Sequence, residues 1–463
     1  MVVQMPYWQS YAYLYGHNSM TVELSGHYGY RRIVRTMLPM VAMMLVTSIY
    51  SIVDGFFISN FAGSTPFAAM NIIWPGLAIL TAVGLMIGSG GSALVSKLLG
   101  EGRTGKACET FTMLTRVSLI AGIVMAAAVI VFMEPICIAL GAEGEMVPYA
   151  VTYGRIVSLS LPLYLIQMEY QSFYMTAERP QLGTAMSIIC GITNIALDAV
   201  LVVWLDRGLA GAAVATSISL AIGGIFPLAF FSSRRNTTHL KYVAVGGIDW
   251  KSLGKACSNG LSEYVGNIAF NLIAICYNLQ LMKFIGENGV TAYGIIMYVG
   301  FIFGAVFIGY NMGISQVIAY NYGAENKQEL RSLLCKSLVL IALDGAFLTL
   351  ISELAAPWLA RTFVGYDEVL TALTIRATRI YMLSFLLCGF NMFTSAWFTA
   401  LNNGTVSAVA AFTRTLVFEL AAVFILPVIM GVEGIWWAVC VAEALAFILT
   451  IILILSFRRR YGY

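Results

Sequence analysis

The stretch Gly183–Leu205, GTAMSIICGITNIALDAVLVVWL, contains one charged side chain, Asp198, in a run long enough to cross a bilayer. A carboxylate in hydrocarbon is costly unless it is paired, solvated or protonated, so such a residue indicates a functional site. Asn194 precedes Asp198 by one helical turn, on the same helix face. Asp54 is a second acid inside a long apolar run. Two acids and an amide are ligands with which a membrane protein would hold Na⁺ or H⁺, which favours a cation-coupled transporter.

Composition places the whole chain in a membrane. Of its 463 residues, 59% are hydrophobic and only 11% are charged, whereas about 25% are charged in a typical soluble protein. The eight cysteines are scattered without a CxxC or Cys/His cluster, so we expect packing residues, not a disulfide framework or a zinc site. We expect no enzyme activity, no cofactor beyond the coupling ion and no nucleic-acid partner, because no metal motif or nucleotide loop is present.

Hydropathy predicts an all-α membrane protein with twelve transmembrane helices. Numbered from the N-terminus, spans 1 to 12 are expected at 33–60, 66–99, 110–133, 151–176, 183–205, 209–232, 256–285, 289–322, 333–356, 372–400, 405–430 and 433–456. Rise per residue places Asp54 about 31 Å into span 1 and Asp198 about 22 Å into span 5. Both acids are therefore expected in the outer half of the bilayer.

The distribution of Lys and Arg predicts that both termini are cytoplasmic in a cell-membrane protein. Placing the N-terminus inside puts 18 of the 26 basic residues on the inner face. The predicted order is a cytoplasmic segment (1–30), an N-lobe of six spans (31–232), a cytoplasmic linker (233–255), a C-lobe of six spans (256–456) and a cytoplasmic tail (457–463). Met20 offers an alternative start, which would make the first 19 residues an upstream extension.

An internal repeat relates the two halves at an offset of 223 residues. The matching positions are Gly90 and Gly313, Ser92 and Ser315, Gly100 and Gly323, Ser172 and Ser395, Thr176 and Thr399, Ala177 and Ala400, Gly208 and Gly431, and Gly211 and Gly434. Six spans separate the copies, so both halves point the same way, with a cavity between them and access alternating by rocking. The predicted fold is therefore two pseudo-symmetric six-helix lobes.

The repeat breaks at the candidate site. At the fixed offset Asp54 corresponds to Tyr277, and Asp198 corresponds to Ala421. Asn194 likewise corresponds to Val417. This asymmetry assigns the cation site to the N-lobe.

These residues resemble the multidrug and toxic compound extrusion (MATE) transporters, in particular the DinF-like and MepA-like branches. The resemblance covers the chain from about Arg31. It rests on Pro39, Tyr50 and Asp54 in span 1, Asn194-Ile-Ala-Leu-Asp198 in span 5, Thr216 in span 6, the stretch from Gly90 to Glu101, and Leu261-Ser262-Glu263-Tyr264. Two departures are Gln167, where relatives usually carry Asn in span 4, and Ala177-Glu178-Arg179-Pro180 in the turn after that span.

The resemblance implies a Na⁺- or H⁺-coupled antiporter that exports small lipophilic, often cationic drugs by alternating access. Asp54, Asp198 and Asn194 would bind the cation, Na⁺ included, and Tyr50, Gln167 and Thr216 could supply further oxygens. Structural hydrogen bonding between helices is the alternative role for the two acids. Pro39 would let span 1 bend, since it removes one backbone hydrogen bond, and a passive kink is the alternative.

The C-lobe carries acids in or near its spans: Asp344, Glu353, Glu419 and Glu443, with Glu263 in span 7. Glu263 is the candidate for contact with a cationic substrate. Glu419 or Glu443 is expected to neutralise Arg414, because intramembrane charges usually pair. A two-lobe transporter encloses its own pathway, so a monomer in the lipid bilayer is expected to suffice.

Two other functions compete with drug export. A lipid-linked oligosaccharide flippase of the same superfamily would need basic residues in its cavity, yet Arg414 is the one basic residue predicted deep in a span. A major-facilitator-type transporter shares twelve spans and parallel halves, and Gly100–Lys106 resembles its charged loop between spans 2 and 3. That loop lacks the expected Asp, and Asn194 with Asp198 has no place in its pattern.

Overall fold

The computed structural model describes residues 22–234 and 236–463, and that part of the chain is helical, without β-strands. Ten helices and two bent helix pairs are long and apolar enough to cross a membrane. In order, the twelve spans are Tyr30–Ala62, Thr65–Gly100, Thr104–Val131, Met146–Leu159 with Leu161–Thr176, Pro180–Trp204, Gly208–Ser232, Trp250–Phe284, Glu287–Gly323, Lys327–Val364, Glu368–Met382 with Phe385–Ala400, Gly404–Met430 and Val432–Tyr461. The predicted all-α membrane fold with twelve spans is confirmed. We call spans 1–6 the N half and spans 7–12 the C half.

Spans 4 and 10 are broken, although the sequence predicts each as one continuous helix. Their two pieces meet at 61° and 42°, respectively. A serine lies at each break, and its hydroxyl donates to a carbonyl three residues earlier: Ser160 to Val157 at 2.8 Å and Ser384 to Tyr381 at 2.7 Å. Such bonds compete with the helical ladder, and Pro162 removes a further donor in span 4. The breaks occupy nearly equivalent positions of the repeat.

The halves meet through small residues on spans 2, 7 and 8. A methyl group at Gly90 would lie 2.0 Å from the Ala256 carbonyl oxygen, and one at Gly260 would lie 1.9 Å from the Met86 carbonyl oxygen, so spans 2 and 7 touch backbone to backbone. Small residues permit this close approach of transmembrane helices. The equivalent Gly313 of span 8 faces Met37 of span 1. The repeat therefore includes glycines at the contact between the two halves, in addition to positions within each half.

A buried polar group also joins the halves. The Gln316 amide of span 8 donates to Ser92 Oγ at 2.9 Å, and its carbonyl oxygen accepts from Ser96 Oγ at 3.0 Å. Thr176 Oγ1 of span 4 donates to the same Gln316 oxygen at 3.3 Å. Because unmatched polar groups are costly in an apolar interior, these bonds favour this one register between the halves.

Residues 22–29, which we call the N-terminal strap, bridge the two halves ahead of span 1. The Leu24 amide donates to Glu178 Oε1 at 2.9 Å, in the turn between spans 4 and 5. The Tyr28 amide donates to Glu329 Oε1 at 2.8 Å, and His27 Nδ1 lies 2.8 Å from Glu329 Oε2, in the first turn of span 9. The predicted segment 1–30 is thus partly packed against the spans, whereas residues 1–21 and the alternative start at Met20 lie outside the described residues.

The connection between spans 6 and 7 is shorter than predicted. Span 7 begins at Trp250, not at residue 256, so the linker ends at Asp249. Asp249 Oδ1 accepts from the amides of Lys251 and Ser252, which caps the helix. The Ser252 hydroxyl and the Lys106 ammonium hold the pKa of Asp249 well below its usual range. Hydropathy did not indicate this helix start because residues 250–255 are polar, whereas the Asp249 cap determines it.

Candidate cation-binding site

The candidate site lies where spans 1 and 5 leave regular α-helical geometry. Span 1 becomes a π-helix at Ile58–Ala62, just beyond Asp54, and span 5 becomes one at Ala199–Trp204, directly after Asp198. A π turn leaves the ordinary hydrogen-bond ladder and is frequent at functional sites. Both acids therefore lie at the last regular turn before a local widening of their helices.

Three spans bring four of the predicted residues together. The Asp54 carboxylate faces the side chains of Asp198 and Asn194 on span 5 and of Thr216 on span 6. The Thr216 hydroxyl donates to Asp54 Oδ1 at 3.4 Å. The helical spacing read from the sequence already placed Asn194 and Asp198 on one face, and the structure directs that face at Asp54.

The site is short of hydrogen-bond donors, and its span 5 residues are buried, whereas Asp54 is partly exposed. Asp198 is fully buried and Asn194 is 2% exposed. Neither carboxylate oxygen of Asp198 nor the amide oxygen of Asn194 has a hydrogen-bond partner among the described residues. Two facing carboxylates repel each other when both are ionised, and buried anions without partners are strongly disfavoured. The arrangement can therefore bind a cation through its oxygens or retain a proton between the two acids.

Two tyrosines complete the wall of the site. Tyr50 lies one turn before Asp54, and its ring packs on Gly191, where a methyl group would be 3.2 Å from the ring. Tyr153, on the first piece of span 4, is fully buried and faces Asp54, Asp198 and the Thr216 hydroxyl. The sequence analysis missed Tyr153. The chain has 24 tyrosines, and nothing in the sequence distinguishes this one from the rest. Only the packing of span 4 against spans 1 and 5 brings it to the site.

The remaining predicted residues lie apart from the acids. Gln167 packs on Gly223 of span 6, two turns beyond Thr216 and thus about 10 Å farther along that helix. Its carbonyl oxygen is buried without a partner among the described residues. The Pro39 carbonyl accepts from the Thr184 hydroxyl at 2.6 Å, near the opposite end of span 1. Glu263, in span 7, is exposed and forms no hydrogen bond or ion pair with a described residue.

No group of three or more His, Cys, Asp or Glu side chains within residues 22–234 and 236–463 could form a metal centre of that kind. A Na⁺ ion at the acid pair would be a transported ion, held by carboxylate, amide and hydroxyl oxygens. The eight cysteines are free thiols, and five of them are buried.

Comparison with known proteins identifies the family of this chain. The sequence profile of the MatE family matches it twice, over residues 39–200 and 264–425. This chain belongs to the MatE family. The two matches are equally long and lie one in each half of this MatE-family protein, at nearly the offset of the sequence repeat. The predicted resemblance to MATE transporters is confirmed, and the family is one of transporters, not of enzymes.

Curated relatives match over nearly the whole MatE-family chain. The multidrug export protein MepA of Staphylococcus haemolyticus (strain JCSC1435) is 25% identical over 425 residues, which is 91% of this chain and 92% of MepA. MepA of Staphylococcus aureus (strain MRSA252) is 22% identical over 428 residues, covering 91% and 93%.

Solved structures share the fold. A MATE protein in complex with MaL6 has a TM-score of 0.88 at 22% identity, covering 95% of this chain and 97% of that one. The outward-facing conformation of a multidrug resistance MATE family transporter of the MOP superfamily has a TM-score of 0.87 at 22% identity, with the same coverage. These likenesses confirm the MatE-family architecture.

Proposed function

We propose that this MatE-family protein is a Na⁺- or H⁺-coupled antiporter that exports lipophilic, often cationic compounds from the cell. The single observation that carries the proposal is the acid pair of the N half. Asp54 and Asp198 face each other, and both carboxylate oxygens of Asp198 are buried without a hydrogen-bond donor among the described residues. Such a pair needs a positive charge to be stable, and a mobile cation supplies one. The names of the MepA relatives, multidrug export proteins, support drugs as the cargo.

The proposed mechanism is competition between cation and cargo. A cation entering from outside neutralises Asp54 and Asp198 and thereby favours one arrangement of the spans around them. Cargo favours the other arrangement, so each ligand weakens binding of the other and antiport follows by reciprocal linkage. Pro39 would allow span 1 to bend between the two states, and Glu263 would attract cationic cargo.

The oxygen ligands of the site suit either coupling ion. Carboxylate, amide and hydroxyl oxygens from Asp54, Asp198, Asn194 and Thr216 are hard ligands for Na⁺. The same carboxylates can bind H⁺ because burial disfavours their ionised forms. Tyr50 would support the site from one turn away, whereas Gln167 would contribute only after a movement of several ångströms.

We propose the topology that the basic residues indicate: a protein of the cell membrane with cytoplasmic termini, whose N half and C half are joined on the cytoplasmic side. A monomer would be sufficient, because the spans of one chain supply the whole acid site. Transport of anionic lipid-linked diphosphates is disfavoured, because Arg414, the basic residue expected deepest in a span, already pairs with Glu443 at 2.6 Å.

The test is ethidium efflux from proteoliposomes with Na⁺ and H⁺ gradients imposed separately. We expect one gradient to drive efflux, and the Asp54→Asn and Asp198→Asn variants to lose it while inserting normally. Asp206→Asn, an exposed acid just beyond span 5, is the matched control and should transport like wild type. Wild-type efflux by Asp198→Asn would disprove the cation-site assignment. Failure of the wild type under both gradients would refute antiport and favour the flippase.

A further inference from the structure

The C half carries its own charged cluster near the place equivalent to the cation site. At the repeat offset, Asp54 corresponds to Tyr277, yet Glu419 and Glu443 lie close enough to Tyr277 to interact with it electrostatically. Arg414 and Glu419 belong to a π-helical segment, Thr413–Glu419, in the fifth span of the C half. The π-helical segment after Asp198 lies in the fifth span of the N half. Both halves therefore place acids beside a widened helix, but the C half adds a base.

Arg414 pairs with one of these acids. Its Nε and Nη2 donate to Glu443 Oε1 at 2.9 and 2.6 Å. The other carboxylate oxygen, Oε2, accepts from the Asn391 amide at 2.6 Å. Glu443 is 3% exposed. Because Arg414 and Asn391 donate to both of its oxygens, the charge of Glu443 is compensated within the protein, and Arg414 acts as its built-in counter-charge.

Glu419 is left without a counter-charge. Its electrostatic neighbours are Glu443 and Arg414, whose charges already cancel each other. No hydrogen bond or ion pair joins it to a described residue. It is half-buried, so a ligand can reach it. This cluster in the C half therefore contains two acids and one base, and Glu419 is the acid without a counter-charge.

Three tyrosines from three other spans lie within electrostatic range of this acid. Tyr277, Tyr293 and Tyr381 all interact electrostatically with Glu419. The rings of Tyr277 and Tyr293 stack with centroids 4.9 Å apart, and Tyr381 meets Tyr293 edge-on at 6.2 Å. The Tyr277 hydroxyl is fully buried and has no partner among the described residues. Aromatic rings beside an acid recognise large, weakly hydrated organic cations.

We propose that Glu419 binds the positive charge of a lipophilic organic cation in the C half, with Tyr277, Tyr293 and Tyr381 forming the aromatic side of that site. This deepens the proposed function and rests on it: the N half binds the inorganic cation, and the C half binds the cargo close to the equivalent place. The two sites select differently because the N half offers several converging oxygens, whereas Glu419 offers one carboxylate beside aromatic rings.

Binding to the purified full-length protein in detergent tests this assignment without any gradient. Tetraphenylphosphonium and tetraphenylborate have the same shape and opposite charge, and calorimetry measures the Kd of each. We expect Glu419→Gln to weaken tetraphenylphosphonium at least about tenfold and to leave tetraphenylborate unchanged. Glu433→Gln, which removes an acid paired with Arg376 near the start of span 12, is the control and should bind both probes like wild type.

A second measurement uses only the wild-type protein, so it does not depend on folding of a variant. Dicyclohexylcarbodiimide modifies carboxyl groups in apolar surroundings, and mass spectrometry identifies the modified residue. Tetraphenylphosphonium should protect Glu419 from modification, and tetraphenylborate should not. Wild-type affinity in Glu419→Gln, or absence of protection, would overturn this site while leaving antiport intact. Absence of gradient-driven efflux by the wild type would contradict antiport, but it would not affect this binding result.

Discussion

Gly100 and Gly323 occupy equivalent positions in the two halves, and each lies against the backbone of the other's helix. A methyl group at Gly100 would be 2.0 Å from the Tyr320 carbonyl oxygen, and one at Gly323 would be 2.0 Å from the Lys97 carbonyl oxygen. Spans 2 and 8 therefore cross at their C-terminal ends with no room for a side chain. In the proposed orientation this crossing closes the cytoplasmic side.

Replacing Gly100 with alanine should open that side. The added methyl group meets backbone, which cannot turn away, and overpacking of this kind costs about 1–3 kcal/mol. A cost of 1.4 kcal/mol shifts an equilibrium about tenfold toward the open arrangement. Spin labels on the C-terminal ends of spans 2 and 8 should report a longer distance. Gly105→Ala, at a helical glycine with open space around it, should leave the distance unchanged, and an unaltered distance in Gly100→Ala would contradict closure by this crossing.

The N-terminal strap should loosen when Glu329 becomes glutamine. Glu329 accepts from the Tyr28 amide and contacts His27, and hydrogen bonds to charged groups contribute about 1.5–3 kcal/mol. Amide hydrogen exchange of residues 22–29 should accelerate about 10- to 100-fold. The exposed Glu325→Gln serves as control. Unchanged exchange in Glu329→Gln would mean that the strap is held by its other contacts, such as the Lys336 ammonium on the Tyr28 carbonyl.

Pro39→Ala distinguishes a hinge from a passive kink. Alanine restores the amide that proline lacks, so span 1 gains one backbone hydrogen bond and bends less readily. We expect a higher unfolding temperature together with slower ethidium efflux. Pro357→Ala in span 9 makes the same chemical change away from the acids and should raise the unfolding temperature without slowing efflux. Wild-type efflux by Pro39→Ala would identify the proline as a passive kink.

Glu263→Gln should reduce efflux of cationic compounds more than that of neutral ones. The side chain is exposed in span 7 without a partner among the described residues, so its charge is available to a passing cation. Efflux rates of ethidium and of a neutral fluorescent compound, measured in the same vesicles, give the comparison. An equal reduction of both rates would make Glu263 a structural residue.

Features that depend on local sequence were predictable, and features that depend on distant partners were not. Asp54 and Asp198 stand out because the cost of a buried carboxylate is visible in any apolar run. The choice between Glu419 and Glu443 as partner of Arg414 required the packing of span 12 on span 11. The breaks at Ser160 and Ser384 escaped notice because serine is common within transmembrane helices.

The start of span 7 and the contribution of Tyr153 show the same limit. Asp249 caps a helix whose first turns are polar, so hydropathy placed that start too late. Tyr153 has no distinctive neighbours in the sequence. Its importance comes from span 4, which carries it to the acids of two other spans.

The ion pair between Arg414 and Glu443 has a consequence for how membrane voltage acts on transport. Its two charges cancel and travel together, so within this cluster only Glu419 offers a charge that cargo can neutralise. If one monovalent ion enters the N half as one monovalent organic cation leaves, the exchange is electroneutral, and the potential neither drives nor opposes it. A neutral compound exported by the same cycle would make the exchange electrogenic, with about 2.3 kcal/mol gained per charge for every 100 mV.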